Sequence, residues 1–254
     1  GKMVGGSSGV YHMIHTRGKP EDYNNWAYNG CDGWSYDEVL PFLQRLENQH
    51  DNTNPDSGKN GPIDVINAKD NGNSFSQSFI DACAELGYPV VDDFNDVSRQ
   101  GSNMGVGWHH VNIKNGERCG VYEGYLKNAL NRSNLELSTE SLVTKLLIED
   151  KKCVGVEYIK DGVVCQVLAK KEVIVSAGAI QSPKVLMLSG IGKPEELNSF
   201  GIDLVHPLNG VGKNFHDHPL IIGPMILVDR PGDDPKGNMT EVALFWKSYS
   251  EMTC

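Results

Sequence analysis

The most restrictive feature of this sequence is the run from Asn134 to Gly190. Five β-rich stretches, LELSTES, LVTKLLIED, CVGVEYIK, VVCQVLAK and EVIVS, follow one another through short turns and then give way to a helical pattern. Branched and apolar residues bounded by Gly, Asp and Ser mark strands. Asp161-Gly162 between two of them predicts a two-residue hairpin, since that pair accepts the positive φ angles of a turn whose twist matches its strands. The hairpin sets Tyr158 opposite Cys165 and leaves Cys153 roughly 16 Å along the strand at about 3.3 Å per residue, beyond disulfide reach. Val173 to Val175 is apolar throughout, as expected of a strand buried on both faces. Ser176-Ala177-Gly178-Ala179 follow without bulk, and Ser182 with Pro183 reads as the N-cap and first residue of a helix that closes before Gly190.

Upstream, the periodicity is helical. Ser35 and Glu38 form a capping-box pattern, and Val39, Phe42, Leu43 and Leu46 recur on one face of a helix over 36–48, with Pro41 a kink point in its first turns. Ser74 and Gln77 open a second helix whose apolar face is Phe75, Phe79, Cys83 and Leu86, closed by Gly87. A third is expected over 121–130. Between the first two, His50 to Gly61 is rich in Asn, Asp, Ser, Gly and Pro and reads as an exposed connection or a boundary. Helices before a strand block, and a buried strand feeding a helix, define an α/β (α+β) protein.

Composition removes whole classes. An apolar share of 39% and a charged share of 22% over 254 residues exclude wholesale disorder, collagen and coiled coil. A balance of 33 acidic to 23 basic residues, net −10, with no basic stripe, removes the electrostatic attraction on which nucleic-acid binding depends. Leu220 to Val228 contains Gly and Pro and is half the length a membrane span needs. The six cysteines include no CxxC pair, which argues against a zinc knuckle; buried reduced thiols are expected, with a disulfide elsewhere as the alternative. The sequons Asn131-Arg132-Ser133 and Asn238-Met239-Thr240 lean toward secretion, although such tripeptides also arise by chance. With Gly1 in place of an initiator and no signal pattern ahead of GKMVGGSSG, the chain reads as an internal piece of a longer protein.

Two segments can carry chemistry. Gly5-Gly6-Ser7-Ser8-Gly9 and the turn before the 183–190 helix lack side-chain bulk, so free backbone N–H groups and small hydroxyls can meet an anionic or flat ligand; tight core turns are the alternative. No GxGxxG or GxxxxGK[ST] element occurs. His216-Asp217-His218 mimics a metal pair, His109-His110 point to opposite faces of a strand, and Asp92-Asp93 with Asp96 reads as a solvated turn without calcium-loop spacing.

The stretch GKMVGGSSGVYHMIHTRGKPEDYNNWAYNGCDGWSYDEVLP closely resembles the first signature of the glucose-methanol-choline (GMC) oxidoreductases, and EVIVSAGAIQSPKVLMLSGIGKPEELNSFGIDLVHPLNGVGKNFHDHP resembles the second. The wording RGKPEDYNNW and LMLSGIG looks most like the arthropod glucose-dehydrogenase branch. The resemblance implies an FAD-binding Rossmann-like domain interleaved with a substrate domain: cofactor segments at 1–57 and 128–217, substrate segments at 58–127 and 218–254. It further implies that Gly6, Ser7, Tyr11, His12 and the backbone to Ile14 line flavin and pyrophosphate, that Val143 holds the adenine edge, and that Ala177 and Gly178 lie near the adenosine end. Tyr11 stands where the family usually has Asn, and Gly120-Val121 follow Arg118-Cys119 where small hydroxyls are usual. Val10 stands where some relatives attach flavin through His, which implies noncovalent FAD. The catalytic His pair and the GxGxxG element would lie outside these residues, and His216 to His218 would be a structural loop. The implied function is oxidation of a small-molecule CH–OH donor (sugar, ecdysteroid or small alcohol), with oxygen or a quinone-like acceptor. The alternatives are a carrier that kept the scaffold and lost its cofactor and, more remotely, a metal hydrolase built on His216 and His218.

Overall fold

The computed structural model describes residues 1–51, 54–97, 104–220 and 240–246. Of Leu220–Val228 only Leu220 lies among them, and Asn238 and Cys254 lie outside. The fold is α/β, in two compact units: Gly1–Glu136 with Leu227–Cys254, and Leu137–Ile226.

The first unit contains helices α1 (Pro20–Tyr28), α2 (Tyr36–Leu46) and α3 (Ser74–Glu85), and strands β1 (Glu47–Gln49), β2 (Ile63–Asn67), β3 (Gly105–Trp108), β4 (His110–Val111), β5 (Ile113–Lys114) and β6 (Glu117–Arg118). Sequence signals explain the helix starts. Pro20 supplies a preset φ at the first position of α1, and the Ser35 N–H donates to Glu38 Oε2 at 3.1 Å ahead of α2, as the capping pattern predicts. Pro41 lies inside α2, which runs on to Leu46. Strand β2 pairs parallel with β1 and antiparallel with β4, and β5–β6 is a hairpin turned by Asn115-Gly116 at φ 52° and 80°. Strand β3 pairs with the Val242–Phe245 strand. Ala68, Val111 and Ile113 form one buried cluster and Ile80, Cys83 and Val106 another, with Trp108 packed against both.

The second unit is an antiparallel sheet of β7 (Leu142–Glu149), β8 (Lys152–Lys160) and β9 (Val163–Leu168), with helices α4 (Gly178–Leu188) and α5 (Pro194–Ser199) and the short parallel pair β10 (Ile191–Gly192) and β11 (His206–Pro207). Asp161 and Gly162 take φ 51° and 77°, and Tyr158 pairs with Cys165 as the hairpin requires. Cys31, Cys83, Cys119, Cys153 and Cys165 are free thiols.

Five expectations are corrected. LELSTES and Glu172–Ser176 are not strands: no described strand pairs with either, and Ile174 is 78% exposed. Helix α4 starts at Gly178 with Ala177 as N-cap, and Ser182 accepts the Ala177 N–H at 3.0 Å from inside it. Helix α3 is capped by Asn73, whose side chain accepts the Phe75 N–H, and it buries Ile80 and Cys83 while Phe75, Phe79 and Leu86 are exposed. The expected 121–130 helix is a π turn over Tyr122–Leu126 followed by a short 3-10 turn. The polar His50–Gly61 connection is partly buried, including Asn54, Ser57 and Gly58. Its Gly58 comes so close to α2 that a Cβ there would stand 1.8 Å from the Gln44 carbonyl oxygen. Among the described residues no helix is long and apolar enough to cross a membrane.

Candidate functional site

The first glycine-rich segment folds as one 3-10 turn, Gly6–Gly9, behind Gly5 at φ 88°. Gly6 sits at φ 57°, and a Cβ there would meet nothing within 4 Å; Ser7 is exposed beside it. The turn is held from below. Ser8 Oγ donates to the Gly5 carbonyl at 2.6 Å and accepts the Val121 N–H at 3.1 Å, while Val10 and Tyr11 both donate their N–H to the Ser7 carbonyl. Arg118, carried in by the Asn115-Gly116 hairpin, donates from Nη1 to the carbonyls of Tyr11 (2.6 Å) and Ser8 (3.4 Å), and its Cζ lies 5.4 Å from the Tyr11 ring centroid. The Tyr11 hydroxyl donates to Asn112 Oδ1 at 2.6 Å. Burial raises its pKa, against the pull of the Arg118 charge. His12 is exposed, with Nδ1 3.3 Å from Thr240 Oγ1, and Ile14 bridges to Val111.

Behind this loop lies a buried polar network. Glu47 pairs with Arg17 and with His15 (2.6 Å) and accepts the Gly58 N–H at 2.8 Å. Burial pushes the Glu47 carboxyl up, but the His15 hydrogen bond, the Gly58 N–H and the Arg17 charge outweigh it and hold it below the usual range. His110, buried, lies between Asp51 (2.8 Å) and Asp93 (3.3 Å). Asp93 is therefore not the solvated turn expected of it: it is 3% exposed, because the imidazole and the Asn95 N–H replace its water. His109 is buried as well, against the ring of Phe94.

In the second unit, Val143 pairs with Tyr158 immediately before a register shift in β7. Ala177 and Gly178 are exposed at the start of α4, with Gly178 at φ 89° and open space at its Cβ position. The other end of the helix is tied to β7 where Ser189 Oγ accepts the Leu146 N–H at 2.8 Å. An apolar groove of about 900 Å³ runs along α4, lined by Ile180, Met187, Phe200, Ile202 and Phe215 among others. His216 and His218 are exposed, and no group of three or more metal-ligating side chains occurs among the described residues. The expected site residues thus fall into two groups: Gly6, Ser7, Tyr11, His12 and Ile14 in the first unit, and Val143, Ala177 and Gly178 in the second.

One position in each group leaves the backbone open. At Gly6 and at Gly178 bare backbone with positive φ faces open space that any side chain would begin to fill, and each is flanked by small or exposed polar groups. Sequence reasoning missed Arg118 as a support of the loop and missed the Glu47 and His110 clusters. The Asn115-Gly116 pair was a readable signal for the first, since it reads as a hairpin turn that sets Arg118 opposite Ile113. The ion pairs of these clusters join positions 17 to 59 residues apart and leave no local pattern.

The profile of the GMC oxidoreductase family matches residues 1–220. The chain is similar to mitochondrial choline dehydrogenase of Homo sapiens, 39% identical over 218 residues, which are 86% of this chain and 36% of that protein. Among solved structures it is similar to pyridoxine 4-oxidase from Mesorbium loti (TM-score 0.72, 31% identity, 79% of this chain and 39% of that one). It is also similar to formate oxidase of Aspergillus oryzae RIB40 (TM-score 0.74, 28% identity, 84% and 38%). The chain thus spans just over a third of the length of such relatives.

Proposed function

Because the chain belongs to the GMC oxidoreductase family, we propose that it supplies part of the cofactor bed of an FAD-dependent enzyme that oxidises a CH–OH group. FAD would supply the hydride acceptor for the alcohol carbon. The chain's own contribution is binding. The Gly5–Met13 loop offers backbone and the Ser7 hydroxyl to the flavin and pyrophosphate, and the start of α4 offers Ala177 and Gly178 to the adenosine end. The family match over residues 1–220 carries this reading, and the open backbone at Gly6 is compatible with it. Val10, where a His would be needed for attachment, supports noncovalent FAD. No residue among the 254 is assigned as the catalytic base.

The donor proposed is a small-molecule alcohol, with oxygen or a quinone-like group as acceptor. The choline dehydrogenases among the relatives favour a small alcohol, and the RGKPEDYNNW and LMLSGIG wording is what supports a sugar or ecdysteroid donor of the arthropod glucose-dehydrogenase kind. The division into cofactor segments 1–57 and 128–217 and substrate segments 58–127 and 218–254 is part of the same proposal. Asn131, exposed in a turn, supports an extracellular location. A visible absorption spectrum of the purified full-length protein tests the function: flavin bands that ultrafiltration leaves on the native protein and acid precipitation releases are expected. A colourless protein that takes up no added FAD overturns it in favour of the carrier alternative.

A further inference from the structure

The contacts that Arg118 makes with the glycine-rich loop are not explained by local folding. Arg118 lies 107 residues from Tyr11 and 110 from Ser8, yet one guanidinium nitrogen reaches both carbonyls, at 2.6 and 3.4 Å, and the guanidinium also lies over the Tyr11 ring. The strand end that carries it comes so near the loop that a Cβ on Gly120 would stand 3.0 Å from the Ser8 carbonyl, and the next residue, Val121, donates its N–H to Ser8 Oγ. Gly120 and Val121 therefore have a use: the first permits the approach and the second completes it.

We propose, resting on the flavoprotein reading above, that Arg118 is a positioning residue for the flavin, acting through the Gly5–Tyr11 loop with the Tyr11 ring as its stacking partner. The peptide planes give the reason. Arg118 Nη1 binds the carbonyls of Ser8 and Tyr11, one inside the 3-10 turn and one just beyond it, and so fixes the orientation of both peptide planes in the loop that the reading above assigns to flavin and pyrophosphate. With those planes held, the loop would meet the cofactor already in its bound conformation, so that less ordering entropy opposes binding. Lysine reproduces this only in part, because an ammonium can donate to the carbonyls but has no flat face to lie on the Tyr11 ring.

The test uses the full-length protein with its cofactor. Arg118→Lys, Arg118→Met and, as a control, Arg45→Met are prepared; the last removes a guanidinium–ring contact with Phe42 on exposed α2, away from the loop. The affinity of each apoprotein for FAD is measured by flavin fluorescence, and the visible circular dichroism of the bound flavin and the melting point of the apoprotein are recorded. Arg118→Lys is expected to weaken FAD binding about tenfold and to alter the flavin dichroism, Arg118→Met to do so more strongly, and Arg45→Met to do neither. If wild-type protein holds flavin and the Arg118→Lys variant binds it within about twofold with the same dichroism, the proposal is overturned and the flavoprotein reading stands. A lowered apoprotein melting point with unchanged flavin affinity overturns it equally, because Arg118 would then serve the fold alone. Should Arg118→Met fail to fold, the lysine variant decides. Wild-type protein that takes up no FAD overturns both readings.

Discussion

Asp93 and His110 show how a buried ion pair makes stability depend on pH. Burial alone would push the Asp93 carboxyl up, but the hydrogen bond and charge of His110, the Asn95 N–H and the Gln49 amide outweigh it and bring it down to about 2. His110 is disfavoured as a cation by burial, yet the carboxylates of Asp93 and Asp51 reverse this and raise its pKa. An acid with a depressed folded pKa stabilises above its unfolded value and loses that contribution as pH falls through the folded one; a histidine with a raised folded pKa stabilises below its unfolded value and loses that contribution as pH rises through the folded one. Stability should therefore be greatest between about pH 4 and 6.5 and fall on both sides, with Asp93 responsible for about 2 kcal/mol of the acid limb. Urea midpoints of the full-length protein measured across pH check this. Asp93→Asn should flatten the acid limb, and an unchanged limb would refute the assignment. None of this was readable in the sequence, where Asp92-Asp93 and Asp96 have the composition of a surface turn; burial is decided by His110, 17 residues away.

Among the elements, α3 has the most informative start. The sequence offers Ser74 and Gln77 as a capping pattern, but Asn73 takes the role by accepting the Phe75 N–H at 2.8 Å, and the carboxylate of Glu241 accepts from the Asn73 N–H and the Ser76 hydroxyl. A negative group at a helix start also meets the positive end of the helix dipole. Asn73→Ala should therefore destabilise the protein by about 1 kcal/mol, read as a lower urea midpoint; a change of only a few tenths would show that Glu241 caps the helix alone. The exposed Phe75, Phe79 and Leu86 have the right spacing for a core face, yet α3 buries Ile80 and Cys83 instead. Helical period says that a helix has a face, while the neighbouring strands decide which face is covered. The hairpins differ in this respect: Asp161-Gly162 sets its own register through local torsion angles, and the Tyr158–Cys165 pairing follows from the sequence without help from packing.

At the scale of the whole molecule, apolar surface stands out. Ile174, Ile180, Phe200 and Phe215 are all more than 60% exposed, and the residues from Glu172 to Ser176 have the composition of a buried strand without a described partner. Ile180, Phe200 and Phe215 line one groove, and contiguous apolar surface of this kind is rare on a stable monomer. Prepared alone, the 254-residue chain should enhance the fluorescence of an apolar dye such as anilinonaphthalene sulfonate and scatter light increasingly with concentration. A dye-silent, cooperatively melting monomer would contradict this.

By itself the sequence determined the α/β class, the start of α2, the β8–β9 hairpin and the family. Each of these depends on residues close together in the chain, whose torsional preferences, periodicity and small size act locally. Only the tertiary structure decided that Arg118 braces the glycine-rich loop, that Glu47 and Asp93 are buried among partners, and that Ile80 and Cys83 form the inner face of α3. Those outcomes depend on polar and apolar groups meeting from distant parts of the chain, where the energy of contact is large and no local pattern records it.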